Sequence, residues 1–129
     1  MSNRKLRLAL VTGCLAAVAT FNACDRSAAT VPAALAGGNA DRGKVAIQHY
    51  GCNACHAIAG LPDPSFEAAA PITKVTDRSY IAGTLPYTPA NLMLWIRFPR
   101  KVKPATAMPD LGVSASEARD IATYLYSLR

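Results

Sequence analysis

Apolar positions recur at helical spacing in three stretches of this chain, and a capping residue opens each of them. In the first, Asn39 is a good N-cap and Asp41 sits favourably in the first turn. Gly43, Ile47 and Tyr50 then fall at i, i+4 and i+7, on one face, and Gly51 ends the pattern. A glycine inside a helix costs about 1 kcal/mol relative to alanine, so Gly43 predicts the close approach of another helix. His49 lies off that face and is expected in solvent. In the second stretch, Thr88-Pro89 pairs an N-cap with proline at the first helical position, and Leu92, Trp95 and Ile96 form a stripe. Pro99 disfavours helical geometry at Phe98, so this helix should end near Arg97. The third begins with the capping box Ser114-Ala115-Ser116-Glu117. Ala118, Ile121, Ala122, Leu125 and Leu128 then repeat to the end, with Tyr124 alongside.

Between these stretches the periodicity disappears. Residues 57–86 carry Pro62, Pro64, Pro71 and Pro86 with Gly60 and Gly83, and residues 100–112 carry Pro104, Met108 and Pro109. Loops this long in a small domain are unusual unless they wrap something. Residues 25–38 are Ala-rich, with Thr30, Pro32 and Gly37-Gly38, and read as a flexible linker. The expectation is an all-α domain over 39–129.

The chain has 129 residues and a net charge of +6. Arg4, Lys5 and Arg7 supply three of those charges, ahead of an uncharged stretch from Leu8 to Phe21, which is the pattern of an export leader over residues 1–24. Its 14 residues fall short of the roughly 20 that a membrane span needs. Ala17-Val18-Ala19 fits ordinary signal cleavage, whereas Phe21-Asn22-Ala23-Cys24 loosely resembles a lipobox with Cys24 as the lipidated residue. Val11-Thr12-Gly13-Cys14 matches that box locally but leaves too short an apolar region, and an uncleaved anchor is a further alternative. Cys24 is preferred, because ordinary cleavage leaves an unpaired thiol in an exported protein. From Asp25 onward, eleven Lys and Arg stand against eight acids, a net +3. No basic run is interleaved with stacking aromatics, so nucleic acid is not an expected partner. A domain of about 90 residues has little apolar core of its own, and a buried cofactor would extend it.

Cys52-Asn53-Ala54-Cys55-His56 carries the chemistry. Two thiols three positions apart, followed at once by an imidazole, form the attachment signature of a c-type haem. Each cysteine can add across a haem vinyl group, with the histidine held under the iron as axial ligand. A structural zinc site wants four protein ligands, and beyond this motif the chain offers only Cys14, Cys24 and His49. A thioredoxin-like motif needs a βαβ context, and none is visible. Haem is the preferred reading.

With those features together, the chain resembles the small class I cytochromes c over 39–129. Gly43 and Ile47 look like the glycine and apolar residue of that family's first helix, and Ile121 and Tyr124 like the final-helix residues that cross it. The resemblance implies a small cytochrome c fold, with N- and C-terminal helices crossing, a pocket helix bearing Leu92, Trp95 and Ile96, and long loops wrapping one haem. Ala70-Pro71 sits where the family usually has Gly-Pro, which implies that the Pro71 carbonyl receives the proton of the axial histidine. Thr73 stands where the family usually has leucine. Arg78 resembles an arginine near a haem propionate. Trp95, Pro99 and Met108 match the spacing of an aromatic, a proline and the methionine ligand. Residues 77–109 are similar to cytochrome c domains fused to the copper-bearing subunit of some bacterial haem-copper oxidases. Without a copper-site domain, that similarity implies a free or lipid-tethered carrier in the bacterial periplasm.

The expected function is therefore electron transfer rather than enzymatic catalysis. One haem c is attached through Cys52 and Cys55, with iron between His56 and Met108. Thioether ligation and a buried haem both raise the potential, which suits delivery to a terminal oxidase or receipt from an upstream reductase. Met93 lies on the pocket helix and Met1 in the leader, so neither has a loop to bring sulfur to iron. Arg97, Arg100, Lys101 and Lys103 cluster around the methionine loop. They form either an ordinary solvated face or a docking ring that steers an acidic redox partner. The alternatives from other classes are a ligand-sensing haem protein with a labile Met108 and a haem c subunit of a dehydrogenase complex.

Overall fold

Three side-chain caps set the frame of the domain. In this computed structural model, which describes residues 31–64 and 68–128, helix α1 spans Ala40–His49 and the Asn39 side chain accepts the Arg42 amide at 2.8 Å. Helix α2 spans Pro89–Arg97, with Thr88 Oγ1 accepting the Asn91 amide at 3.2 Å. A single turn, α3, follows at Pro99–Val102. Helix α4 spans Ala115–Ser127 and opens on the reciprocal Ser114/Glu117 capping box. The leader over 1–24, its cleavage points at Ala19 and Cys24, Cys14, and residues 25–30 of the expected linker lie outside the described residues. Among the described residues, no helix is long and apolar enough to cross a membrane.

Helix α1 packs along α4, and Gly43 marks where they come closest. A Cβ built on Gly43 would collide with the Asp120 carbonyl oxygen and lie 2.9 Å from the Ile121 amide nitrogen. The missing side chain therefore makes the contact, the packing reason that a helical glycine calls for. Ile47, Ile121, Ala122 and Leu125 are buried beside it. A polar lock closes the same seam. Asp120, only 6 % exposed, accepts from the Asn39 amide at 2.7 Å and from Arg42 Nε and Nη2 at 2.7 and 3.0 Å. A carboxylate taken out of water needs such charge-assisted partners. Arg42 holds the Asp120 carboxyl below the usual carboxylate range, assisted by the Asn39 amide.

Three expectations need correction. The linker over 25–38 is not all linker, because the compact unit starts at Val31. A 3-10 turn at Ala33–Leu35 buries Leu35 completely, and Gly38 lies so close to the Thr123 side chain that a Cβ would clash. One leucine in an Ala-rich stretch gives no period, so only the tertiary contact reveals it. The domain is not plainly all-α. It is helix-rich with a two-stranded antiparallel sheet, β1 at Tyr80–Ile81 and β2 at Leu85–Pro86, in register Tyr80↔Pro86 and Ile81↔Leu85. The turn needs positive φ at Ala82 (51°) and Gly83 (71°), and the Thr84 amide closes it on the Ile81 carbonyl at 2.9 Å. Strands of two residues are too short to show alternation, and Pro86 is tolerated because both strands are edges. The third correction is α3, a helical turn inside the segment 100–112 that reads as irregular: Pro99 supplies its N-terminal φ.

Buried apolar residues anchor the remaining loop. Ile58 pairs with Ile72 in an isolated parallel bridge, and Val75 is buried in the 3-10 turn Val75–Asp77. Together with α1, α2 and α4, this loop walls off an apolar space.

Candidate functional site

Helix α1 delivers the Cys-x-x-Cys-His segment to that space. Its C-cap is Tyr50, and Gly51 turns the chain through the left-handed region at φ 68°. A 3-10 turn over Cys52–Ala54 follows, and the Cys52 carbonyl accepts from the Cys55 and His56 amides at 3.3 and 3.1 Å. Both thiols are thereby carried on a single turn, and neither is in a disulfide. Burial pushes the Cys52 thiol up from its usual value. That is the opposite of the lowered thiol that dithiol-exchange chemistry uses.

His56 is fixed by its ring nitrogen. Nδ1 lies 2.8 Å from the Ala70 carbonyl oxygen, which can only accept, so Nδ1 carries the proton and Nε2 keeps its lone pair for a ligand. This corrects the expectation that the Pro71 carbonyl takes this proton. The Pro71 carbonyl instead accepts from Arg78 Nη2 at 2.6 Å. A residue before proline is held extended, so the carbonyls of Ala70 and Pro71 face different ways and only one can meet the imidazole.

A cavity of about 330 Å³ lies beyond. Of the residues singled out from the sequence, Cys52, His56, Pro71, Arg78 and Met108 line it, and so do Leu92, Trp95 and Ile96 of α2. A second cavity of about 280 Å³ shares Cys52, His56, Trp95 and Met108 with the first and adds Cys55. Met108 reaches both from its loop, where Thr106 Oγ1 accepts the Met108 amide at 3.2 Å and the Thr106 amide bonds to the Lys103 carbonyl at 3.0 Å. Sequence reasoning missed Ala70 as acceptor and Tyr87 as a wall residue. Burial pushes the Tyr87 hydroxyl up to about 12. Its position, immediately after β2, has no periodic signal.

The donor set decides what these residues could hold. One imidazole nitrogen and one thioether sulfur line a mostly apolar cavity, with two thiols at the adjoining walls. That set fits iron in a covalently tied porphyrin. It does not fit zinc. Among the described residues, no three His, Cys, Asp or Glu side chains converge on one point, and a tetrahedral site wants four protein ligands.

The four basic residues are not equivalent. The Arg97 guanidinium stacks 4.6 Å from the centroid of the Phe98 ring, and its Nε donates to the Val113 carbonyl at 3.4 Å. Lys103 Nζ donates to the Ala82 carbonyl at 3.2 Å. Arg100 and Lys101 are exposed on α3. His49 is exposed, as its place on α1 predicts.

No family model matches the chain. It is 33% identical over 91 residues to cytochrome c oxidase subunit 2 of Alkalihalophilus pseudofirmus, covering 70% of this chain and 26% of that protein. It is 38% identical over 88 residues to the protein of the same name from Bacillus sp. (strain PS3), covering 65% and 25%. The chain thus spans about a quarter of the length of the curated relatives it matches. It is related to part of an oxidase subunit.

Proposed function

We propose that this chain is a monohaem c-type cytochrome of class I that carries single electrons to a terminal oxidase. The observation that supports it most is the convergence of His56 and Met108 on one apolar cavity beside Cys52 and Cys55. When bound, haem supplies an iron that passes between ferrous and ferric states. The chain's own residues do the rest. Cys52 and Cys55 tie the group by their sulfurs, His56 offers Nε2, and Met108 offers its thioether. The Ala70 carbonyl holds the Nδ1 proton, which fixes the ring and makes Nε2 a better donor. Leu92, Ile96 and Ile121 keep water out, and low polarity together with thioether ligation raises the potential.

Relatives that are oxidase subunits support a terminal oxidase as the acceptor. Exposed Arg100 and Lys101 suit an acidic docking face there. Export to a bacterial periplasm, with a lipid tether at Cys24, completes the reading.

The test is spectroscopic. Denatured protein should keep a covalent haem stain, lost in Cys52→Ala with Cys55→Ala. The oxidised protein should show low-spin iron with the weak sulfur-to-iron band, and when reduced it should bind carbon monoxide poorly. Met108→Ala should lose the band, lower the potential and admit carbon monoxide, while Met93→Ala does none of these. A folded colourless chain refutes the cofactor; ready binding of carbon monoxide by the unmutated protein refutes Met108 as a firm ligand.

A further inference from the structure

Two tyrosine hydroxyls meet backbone or side chain at the two ends of the Cys-x-x-Cys-His segment, and both contacts involve α4. At the leading end, Tyr50 Oη donates to Glu117 Oε2 at 2.9 Å. Glu117 is itself fixed, because the same oxygen accepts from the Ser114 amide at 3.2 Å in the capping box. At the trailing end, Tyr124 Oη donates to the Ala59 carbonyl at 2.7 Å. Gly60 is shaped for that contact: its φ is +77°, and a Cβ there would lie 2.8 Å from the Tyr124 hydroxyl oxygen. Tyr124 is buried, so its hydroxyl would be left unpaired without Ala59.

The segment has little internal structure to hold it. It contains one 3-10 turn, whose bonds are poorer than those of an α-helix. Its other backbone ties, from the Ala69 amide to the Cys55 carbonyl at 3.1 Å and from the Ile72 amide to the Ala57 carbonyl at 2.7 Å, run to another loop. Its leading end also follows directly from α1, where the Tyr50 amide bonds to the Ala46 carbonyl at 2.9 Å, and the two hydroxyls tie both ends to α4. We propose that α4 grips the segment at Tyr50 and Ala59, making Tyr50, Glu117 and Tyr124 positioning residues for whatever group Cys52, Cys55 and His56 hold. The grip deepens the carrier reading, which supplies the haem as that group, but its geometry stands without it. A ligand histidine held from both sides moves less when its charge environment changes, which suits electron transfer.

Tyr50→Phe and Tyr124→Phe remove one hydroxyl each and keep the ring. Hydrogen exchange is measured on the full chain as isolated, with whatever it has bound. Losing one such bond should speed local exchange ~5- to 10-fold. Tyr50→Phe should do so at Ala54, whose amide bonds to the Gly51 carbonyl, and Tyr124→Phe at Leu61, whose amide bonds to the Ile58 carbonyl. Amides inside α1 and α4 should keep their protection, and Tyr126→Phe on the same helix should change nothing. Exchange unchanged over 51–61 in both variants overturns the grip. So does equal acceleration in α1 and α4, which would mark a general loss of stability. The haem stain of the same samples separates the two ideas. An end-specific pattern without stain keeps the grip and discards the carrier, and stain without the pattern does the reverse.

Discussion

Gly43→Ala sets two effects of opposite sign against each other. By helix propensity alone the substitution should stabilise α1 by about 1 kcal/mol. The geometry says otherwise. The new Cβ would lie 2.5 Å from the Asp120 carbonyl carbon, where carbon–carbon contacts settle at about 3.5 Å or more. The obstacle is backbone in the middle of α4, so no rotamer change relieves it, and the helices must part by roughly 1 Å. A gap of that size forfeits a quarter to a half of the attraction of each contact across it, and Ile47, Ile121 and Ala122 all lie in this seam. Overpacking of this kind costs roughly 1–3 kcal/mol, and backbone collision argues for the upper end. Net of propensity, we expect a loss of about 2 kcal/mol, or a fall in Tm of roughly 8–16 °C for a domain of this size. Denaturant unfolding followed by far-UV circular dichroism gives the value. A variant as stable as the parent, or more so, would refute the close approach and with it the register of α1 on α4.

Leu35→Ala should destabilise the domain by about 2–5 kcal/mol, the range for emptying a buried leucine site. A change within about 0.5 kcal/mol, typical of surface positions, would return residues 31–38 to the status of a linker. Asp120→Asn should cost roughly 1–3 kcal/mol at pH 7, because Arg42 and the Asn39 amide lose their charged acceptor. A carboxylate held below its ordinary value stabilises fully above about pH 4 and loses that contribution as pH falls further. The acid limb of stability should therefore be shallower in the variant than in the parent, though not flat, since Ser114 and Tyr50 lower Glu117 in the same way. An identical limb would remove Asp120 from the account. Arg100→Glu with Lys101→Glu should slow electron delivery to an acidic partner at low ionic strength and flatten its salt dependence, with the absorption spectrum unchanged. Unchanged rates would leave α3 an ordinary solvated face.

What the sequence discloses about this fold follows from the range over which each signal acts. Asn39, Thr88 and Ser114 are legible because an N-cap is a bond between a side chain and a backbone amide three residues on. All three caps form as written. Gly43 is legible for a different reason: its cost in a helix demands compensation, and the compensation can be inferred without knowing the partner. Leu35, the Tyr80–Pro86 hairpin and the choice of Ala70 over Pro71 are not legible. Each depends on residues more than a few positions away, or on which way a single carbonyl faces.

The site shows the same division with one further twist. Cys52, Cys55 and His56 announce themselves by spacing, because the chemistry proposed for them would need that spacing. The walls do not. Ile47, Leu92, Ile96 and Ile121 repeat at helical intervals as any core does, yet all four line the cavity. In a domain this small the apolar faces of α1, α2 and α4 meet one another over part of their length, as α1 and α4 do at Gly43, and line a space over the rest. A periodic stripe records only that a face avoids water, so pocket and core carry the same pattern. The difference lies in the loops, where Met108, Pro71 and Arg78 close the space and no periodicity exists to report them. In such chains an apolar stripe, a long proline-rich loop and a ligand motif are more informative jointly than singly, since together they imply an interior that the polypeptide alone does not fill.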